Sequence, residues 1–405
     1  MNTMPASHAH ANLSRDVVVM EAAKKPPLEA AFDLCLQKTR RNIEALADDR
    51  PKSWSFDVTG DYANWDESFF AIGNWTSSFI PGMALLAWQE TGDEHFLKQA
   101  LRLAPNYREK ACVRFLDMHH DTGFLYTLYS VALYKLTHDQ AHREVALAAA
   151  NALYQRFNPT GNFIRAWGRL DEPAGLTFEG FIQTDNMAII DCMMNLPLLF
   201  WAAAASGDRK FYEAAVRQAD TTLKHFVRPD DSVCHAFRFD LQTGAPIGPD
   251  NYCGRDVHTY WARGAAWAIY GFALCYRYTG VDKYLAASRR LAKNFIANLD
   301  AEIVPVWDFR LPAGEPRLRD SSAAAAAVCG FQELLRHGPD PLLVSAKQNL
   351  LNRLCSEDYL NANLACRGVL KNGQIGRAKN VYTSWGDYFL MEALAVELRA
   401  RPTFW

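Results

Sequence analysis

The chain has 405 residues, 49% hydrophobic and 22% charged, with a formal net charge of −2. This composition fits a globular protein with a sizeable core, and it removes bulk charge as a reason to expect nucleic acid or an anionic membrane as partner. The nine cysteines (Cys35, Cys112, Cys192, Cys234, Cys253, Cys275, Cys329, Cys355 and Cys366) are odd in number and form no CxxC, so they read as buried thiols of a reducing compartment.

Residues 1–25, "MNTMPASHAHANLSRDVVVMEAAKK", hold no apolar run long enough for a signal peptide and are expected to be a flexible lead into one domain over 26–405. The remainder holds no run long enough to span a membrane, so a cytoplasmic location is expected.

From residue 27 onward helical periodicity dominates. It predicts about twelve helices over 27–48, 75–92, 94–118, 123–137, 139–157, 186–206, 208–226, 260–280, 281–298, 320–337, 340–355 and 383–399. Several pairs are joined by short polar breaks: "ETGDEHFL" at 90–97, "LTHDQAH" at 136–142, "ASGDRKFY" at 205–212, "YTGVDKYL" at 278–285 and "RHGPDPLL" at 336–343. Gly suits the left-handed end of one helix, and Asp93, Asp139, Asp208, Asp282 and Asp340 are placed to cap the next. Each break therefore predicts an αα-hairpin turn. Long loops at 49–74, 158–185, 227–259, 299–319 and 356–382 join one pair to the next. Tight turns at one end and long loops at the other describe an all-α fold, an (α/α)6 barrel of six hairpins. An open solenoid is the alternative, and it calls for more uniform repeats.

The residues suited to chemistry collect where the inner helices would open toward the long loops. These are Asn74, Trp75 and Pro81; His119, His120 and Asp121; Asp185 and Asp191; His258, Trp261, Arg263 and Trp267; Arg319 and Asp320; and Tyr382, Trp385, Asp387 and Tyr388. Aromatic faces with a few ionisable groups make a ligand site, and they suit sugar rings.

Phe181 to Ala203 reads as one apolar helix, with Asp185 at its start and Asp191 two turns in. Asp185 is read as an N-cap. Asp121 serves equally well as the cap of a helix starting at Thr122 or as a catalyst. For Asp191, flanked by Ile189, Ile190, Cys192 and Met193, capping has no role. Burial should raise its pKa and suit it to proton donation near neutral pH. The competing reading is a structural ion pair with Arg263, which is equally fit to clamp a substrate carboxylate. No phosphate-binding loop, HExxH or GxSxG occurs. His119, His120, His235 and His258 show no tight metal-ligand spacing, so no metal and no cofactor is expected.

The segments "NWTSSFIPGMALLAW", "HHDTGFLY", "IIDCMMNLPLLFWA", "YWARGAAWAIYGFA" and "SWGDYFLMEAL" stand in one order. In them the chain resembles the unsaturated glucuronyl hydrolases, glycoside hydrolase family 88, from about residue 65 onward. The resemblance implies an (α/α)6 barrel that removes a 4,5-unsaturated uronic acid from the non-reducing end of oligosaccharides left by polysaccharide lyases. It implies that Asp191 protonates C4 of the enol ether while water adds at C5, and that Asp121 is the second essential acid. It further implies that Trp75, His120, His235, Arg263, Trp267 and Tyr388 line the substrate subsite. Two stretches depart from the family pattern: Asn251 and Cys253 stand where members carry Thr and Gln, and the loop before Trp385 carries Arg377 and Lys379 without an early serine. Other readings are a different (α/α)6 glycosidase or sugar epimerase, or a helical-repeat scaffold that binds carbohydrate or peptide without turnover.

Overall fold

The computed structural model describes residues 27–48, 52–62, 66–171, 177–178, 182–375 and 380–405. The expected flexible lead, and Arg377 and Lys379, lie outside the described residues.

Most of the polar breaks become hairpin turns through the chemistry their residues dictate. Gly92, Gly207 and Gly280 adopt the left-handed conformation at helix ends, with φ of 66°, 77° and 66°. In the second hairpin His138 takes that place, at φ 59°. Asp93, Asp139, Asp208 and Asp340 each accept a backbone N–H two residues on and cap the following helix. Asp282 departs from expectation. Val281 holds the cap position and Asp282 is the first helical residue, where its charge still favours the helix N-terminus.

Among the described residues, twelve helical segments form two concentric rings. The inner ring comprises Phe79–Thr91, 122–137, 190–206, Ala262–Thr279, Ser321–Leu335 and Ser384–Arg399. Its members are buried almost all round: every residue from Ala262 to Cys275, Ser321 to Leu334 and Ser384 to Ala395 is shielded from solvent. The outer ring comprises Pro27–Asp48, 94–112, Gln140–Gln155, Arg209–His225, Asp282–Ala297 and Pro341–Leu354. Outer helices such as Arg209–His225 bury one stripe, Phe211, Ala214, Ala215, Gln218 and Ala219 among it, and leave the rest in water. The last inner helix packs on the first, and Pro27–Asp48 covers that seam. Contact between the ends makes this a closed (α/α)6 toroid and not an open solenoid. Among the described residues, no helix is long and apolar enough to cross a membrane.

Two segments differ from the predicted helices. The outer helix expected over 94–118 is broken between Leu101 and Ala104, where Pro105 starts a new first turn, and it ends at Cys112. More consequential is 186–206. Met187–Ile189 is a strand, antiparallel to Ala236–Phe239. Ile190–Met194 is a 3₁₀ turn, and the α-helix runs only over Leu196–Ser206, with Pro197 in its first turn. Proline has no N–H to extend an α-helix backward, so the helix starts there. Asp191 consequently stands at the mouth of the barrel, not two turns inside a helix. Asp185 lies in the turn before the strand and caps no helix.

The long loops are stitched together over the same end. Asn380–Thr383 pairs with both Phe56–Asp57 and Gly373–Gln374. Asp387 is fully buried and anchors this lid: it accepts from the N–H groups of Val369 and Leu370 at 3.0 and 2.7 Å and from Tyr62 Oη at 2.9 Å.

Candidate active site

Two acids meet at the mouth, each placed by a backbone element. Asp191 is the second residue of the 3₁₀ turn after strand Met187–Ile189. Asp121 holds the N-cap position of the helix that begins at Thr122, yet its carboxylate makes no capping bond. Between them stands Asn195, four residues after Asp191. Its Nδ2 donates to Asp121 Oδ1 at 2.9 Å and to the Asp191 carbonyl at 3.1 Å.

Two histidines stand behind the acids with their tautomers fixed. His120 Nδ1 accepts the Trp167 N–H at 3.0 Å, so the neutral ring carries its proton on Nε2, which lies 3.1 Å from Asp121 Oδ2. His235 Nδ1 accepts the Tyr252 N–H at 3.0 Å, which leaves Nε2 as the protonated nitrogen, 3.7 Å from Asp191 Oδ2. Burial pushes the His235 pKa down to about 3, so this ring stays neutral. His119 is likewise held by the Asp121 N–H, at 3.0 Å to its Nδ1. His119, His120 and Asp121 bring ligand-type atoms within 4.8 Å of one another. Both Nδ1 atoms accept backbone N–H groups and Asn195 donates to the carboxylate, so hydrogen bonds fix the orientation of all three side chains.

The environments drive the two acids apart. Burial pushes Asp191 up to about 7, and the negative charge of Asp121 adds to this while Arg263 opposes it. Burial acts on Asp121 in the same direction. His120 and the Asn195 hydrogen bond outweigh it and hold this carboxyl below the ordinary carboxylate range. One protonated and one ionised carboxyl side by side is the pattern of an acid with an electrostatic partner.

Both acids line a cavity of about 440 Å3. Five aromatic side chains stand in its walls: Trp75, Trp167, Tyr252, Trp261 and Trp385. Arg263 is the cation among the described lining residues. Its guanidinium carbon lies 4.6 Å from the Trp261 ring and 5.4 Å from the Trp385 ring. All its hydrogen bonds run through Nη1: to Asp320 Oδ2 at 2.6 Å, the Gln374 carbonyl at 2.9 Å and Ser322 Oγ at 3.4 Å. Asp320, not Asp191, is thus the partner of Arg263, and Nε and Nη2 retain their donors.

The family model described as Glycosyl Hydrolase Family 88 matches residues 40–363. The chain belongs to glycosyl hydrolase family 88. It is 33% identical over 375 residues to the unsaturated chondroitin disaccharide hydrolase of Streptococcus pyogenes serotype M1, covering 90% of this chain and 89% of that protein. It is 34% identical over 342 residues to the unsaturated glucuronyl hydrolase of Bacillus sp. strain GL1, covering 82% and 88%. The fold is similar to the crystal structure of the Bacillus sp. GL1 unsaturated glucuronyl hydrolase, described as responsible for the degradation of glycosaminoglycan. That match has a TM-score of 0.82 and 33% identity over 92% of this chain and 97% of the other.

In this family 88 chain, Asp191, Asp121, Trp75 and Arg263 reach the cavity. His120 and His235 stand directly behind the acids, with side chains 1% and 0% exposed. Trp267 and Tyr388 are not brought to the cavity. Trp267 is one helical turn deeper than Arg263, packed on Phe124 and Phe389 at 5.4 and 5.2 Å. Tyr388 is one turn deeper than Trp385, and its hydroxyl donates to Glu392 at 2.7 Å. Of the other residues placed at the mouth, His258 is exposed and Arg319 pairs with Asp300. Sequence reasoning missed Asn195, Trp167, Tyr252 and Gln374. Asn195 leaves one faint trace, a lone amide at i+4 from Asp191 in an apolar run. Trp167 leaves another, an aromatic before Gly168 in a long loop, and it takes the left-handed conformation at φ 39°.

Proposed function

We propose that this family 88 enzyme removes the 4,5-unsaturated uronic acid from the non-reducing end of lyase-generated oligosaccharides by hydrating the C4=C5 enol ether. The observation that carries the reading is the pair of acids. Asp191 is held protonated near neutral pH on the wall of a sugar-sized cavity, beside an Asp121 held ionised.

The chemistry follows from that division. The enol ether is electron-rich at C4, so a carboxylic acid with a pKa near the working pH is suited to protonate it. Positive charge then develops at C5 and the ring oxygen, where the Asp121 carboxylate stabilises it in a largely dry site. Asp191, now ionised, takes a proton from the water that adds at C5. His235, neutral with its proton on Nε2, supports Asp191 through the carboxylate state. The hemiketal so formed opens and releases the neighbouring sugar and an open-chain keto acid. Arg263, with Nε and Nη2 unspent between Trp261 and Trp385, is suited to the uronate carboxylate, and Trp75 offers an apolar face to the ring. We place the reaction in the cytoplasm, and the nine cysteines, all thiols, support a reducing compartment.

Lyase digests of chondroitin, hyaluronan, heparin and gellan test this reading. Incubation with at least one of them should bleach the ultraviolet absorbance of the unsaturated ring and yield a keto acid. Persistence of the chromophore in all four would refute it.

A further inference from the structure

An aspartate at the N-cap ordinarily accepts the N–H of the second or third helical residue. Asp121 does not, although it holds that position before Thr122. The third N–H of the helix is nonetheless satisfied: Phe124 donates to Asn195 Oδ1 at 2.9 Å, from the neighbouring inner helix. The two Nδ2 protons of Asn195 go to Asp121 Oδ1 and to the Asp191 carbonyl. Its acceptor and both donors are thus spent on the two short segments that carry the acids. Asn195 is itself fully buried and is not a lining residue of the cavity.

The local sequence makes room for this arrangement. A Cβ on Gly123 would stand 2.4 Å from Asn195 Cα and 2.7 Å from both Asn195 Oδ1 and its carbonyl oxygen. Only glycine permits so close an approach of the two backbones.

We propose that Asn195 is a positioning residue for the reaction: by capping Phe124 in place of Asp121, it releases the Asp121 carboxylate to the cavity and ties it to the backbone of Asp191. This rests on the function proposed above. Without the Nδ2 donor, Asp121 turns onto its own helix N-terminus or takes up a proton, and either change removes the negative charge that faces Asp191.

Two variants, assayed by loss of the ultraviolet chromophore, test it. Asn195→Asp is isosteric and keeps an oxygen for the Phe124 N–H, so it preserves the cap and the fold, but it sets an acceptor against Asp121. We expect kcat to fall by about 100-fold or more with KM changed less than about threefold. Asn195→Ala should lose kcat similarly and shift the alkaline limb of kcat/KM to lower pH. Asn195→Asp with wild-type kcat and pH profile would overturn the positioning role and leave Asn195 a cap alone. Wild-type protein inert toward every unsaturated oligosaccharide would overturn the proposed function, and this inference with it.

Discussion

Arg263 donates to Asp320 at 2.6 Å inside the aromatic wall of the cavity, with side chains 7% and 0% exposed. Asp320 also caps its own helix through the Ser322 and Ala323 N–H groups, so the pair fixes a guanidinium to a rigid helix start. Removing one partner of a buried pair strands the other. Arg263→Ala should therefore destabilise the fold by about 3–5 kcal/mol. It should also raise KM for an anionic sugar by roughly 30-fold. Arg263→Lys restores a charge for Asp320 without the planar fork, so stability should recover further than KM does. Denaturant midpoints and Michaelis constants check both halves. An unchanged KM in Arg263→Ala would remove Arg263 from carboxylate recognition.

A second prediction concerns pH. Asp191 must be protonated to act, and its pKa is raised to about 7 by burial and by Asp121. Activity should thus decline on the alkaline side of that value, by about tenfold in kcat/KM per pH unit. In Asp121→Asn the residual activity should lose its alkaline limb at lower pH, because the neighbouring negative charge is gone. The same shift has a sign for stability. A carboxyl with a raised pKa in the folded protein holds its proton there more tightly than in the unfolded chain. Folding is then favoured at low pH, and that contribution is lost as pH rises through about 7. Thermal melts from pH 5 to pH 8 should show Asp191→Asn gaining on wild type as pH rises.

Trp267 gives a third test, because it separates depth from motif. It is fully buried one turn below Arg263 and touches Phe124 and Phe389. Trp267→Phe should cost about 1–3 kcal/mol of stability as a core substitution. KM should remain within about twofold, since the ring does not border the cavity. A large KM increase at unchanged stability would place this ring against the sugar after all.

The architecture was legible because hairpin turns are local. Gly92 with Asp93, or Gly207 with Asp208, ends one helix and starts the next by the conformations those residues prefer. The closed barrel followed from where the tight turns and the long loops fall. The misreading of 186–206 has a definite cause. Met187, Ala188 and Ile189 are apolar in either structure, and their strand depends on Ala236–Phe239, almost fifty residues away. Asp191 stood out as a carboxylate in apolar surroundings, whereas Asp121 read equally well as a helix cap and was singled out as an acid only by the family resemblance. The depth of Trp267 and Tyr388 along their helices was invisible, because a motif gives sequence neighbours but not the height of the cavity floor. Asn195 and Trp167 were missed for a related reason: their partners, Asp121 and His120, come from other elements.

The central claim is that the Asp191 carboxyl supplies the proton to C4, and its replacement by an isosteric amide tests this most directly. Asp191→Asn should be as well folded as wild type by circular dichroism and bind the unsaturated oligosaccharide, yet leave the ultraviolet absorbance of the ring constant over hours. Bleaching by Asp191→Asn at the wild-type rate would contradict the account.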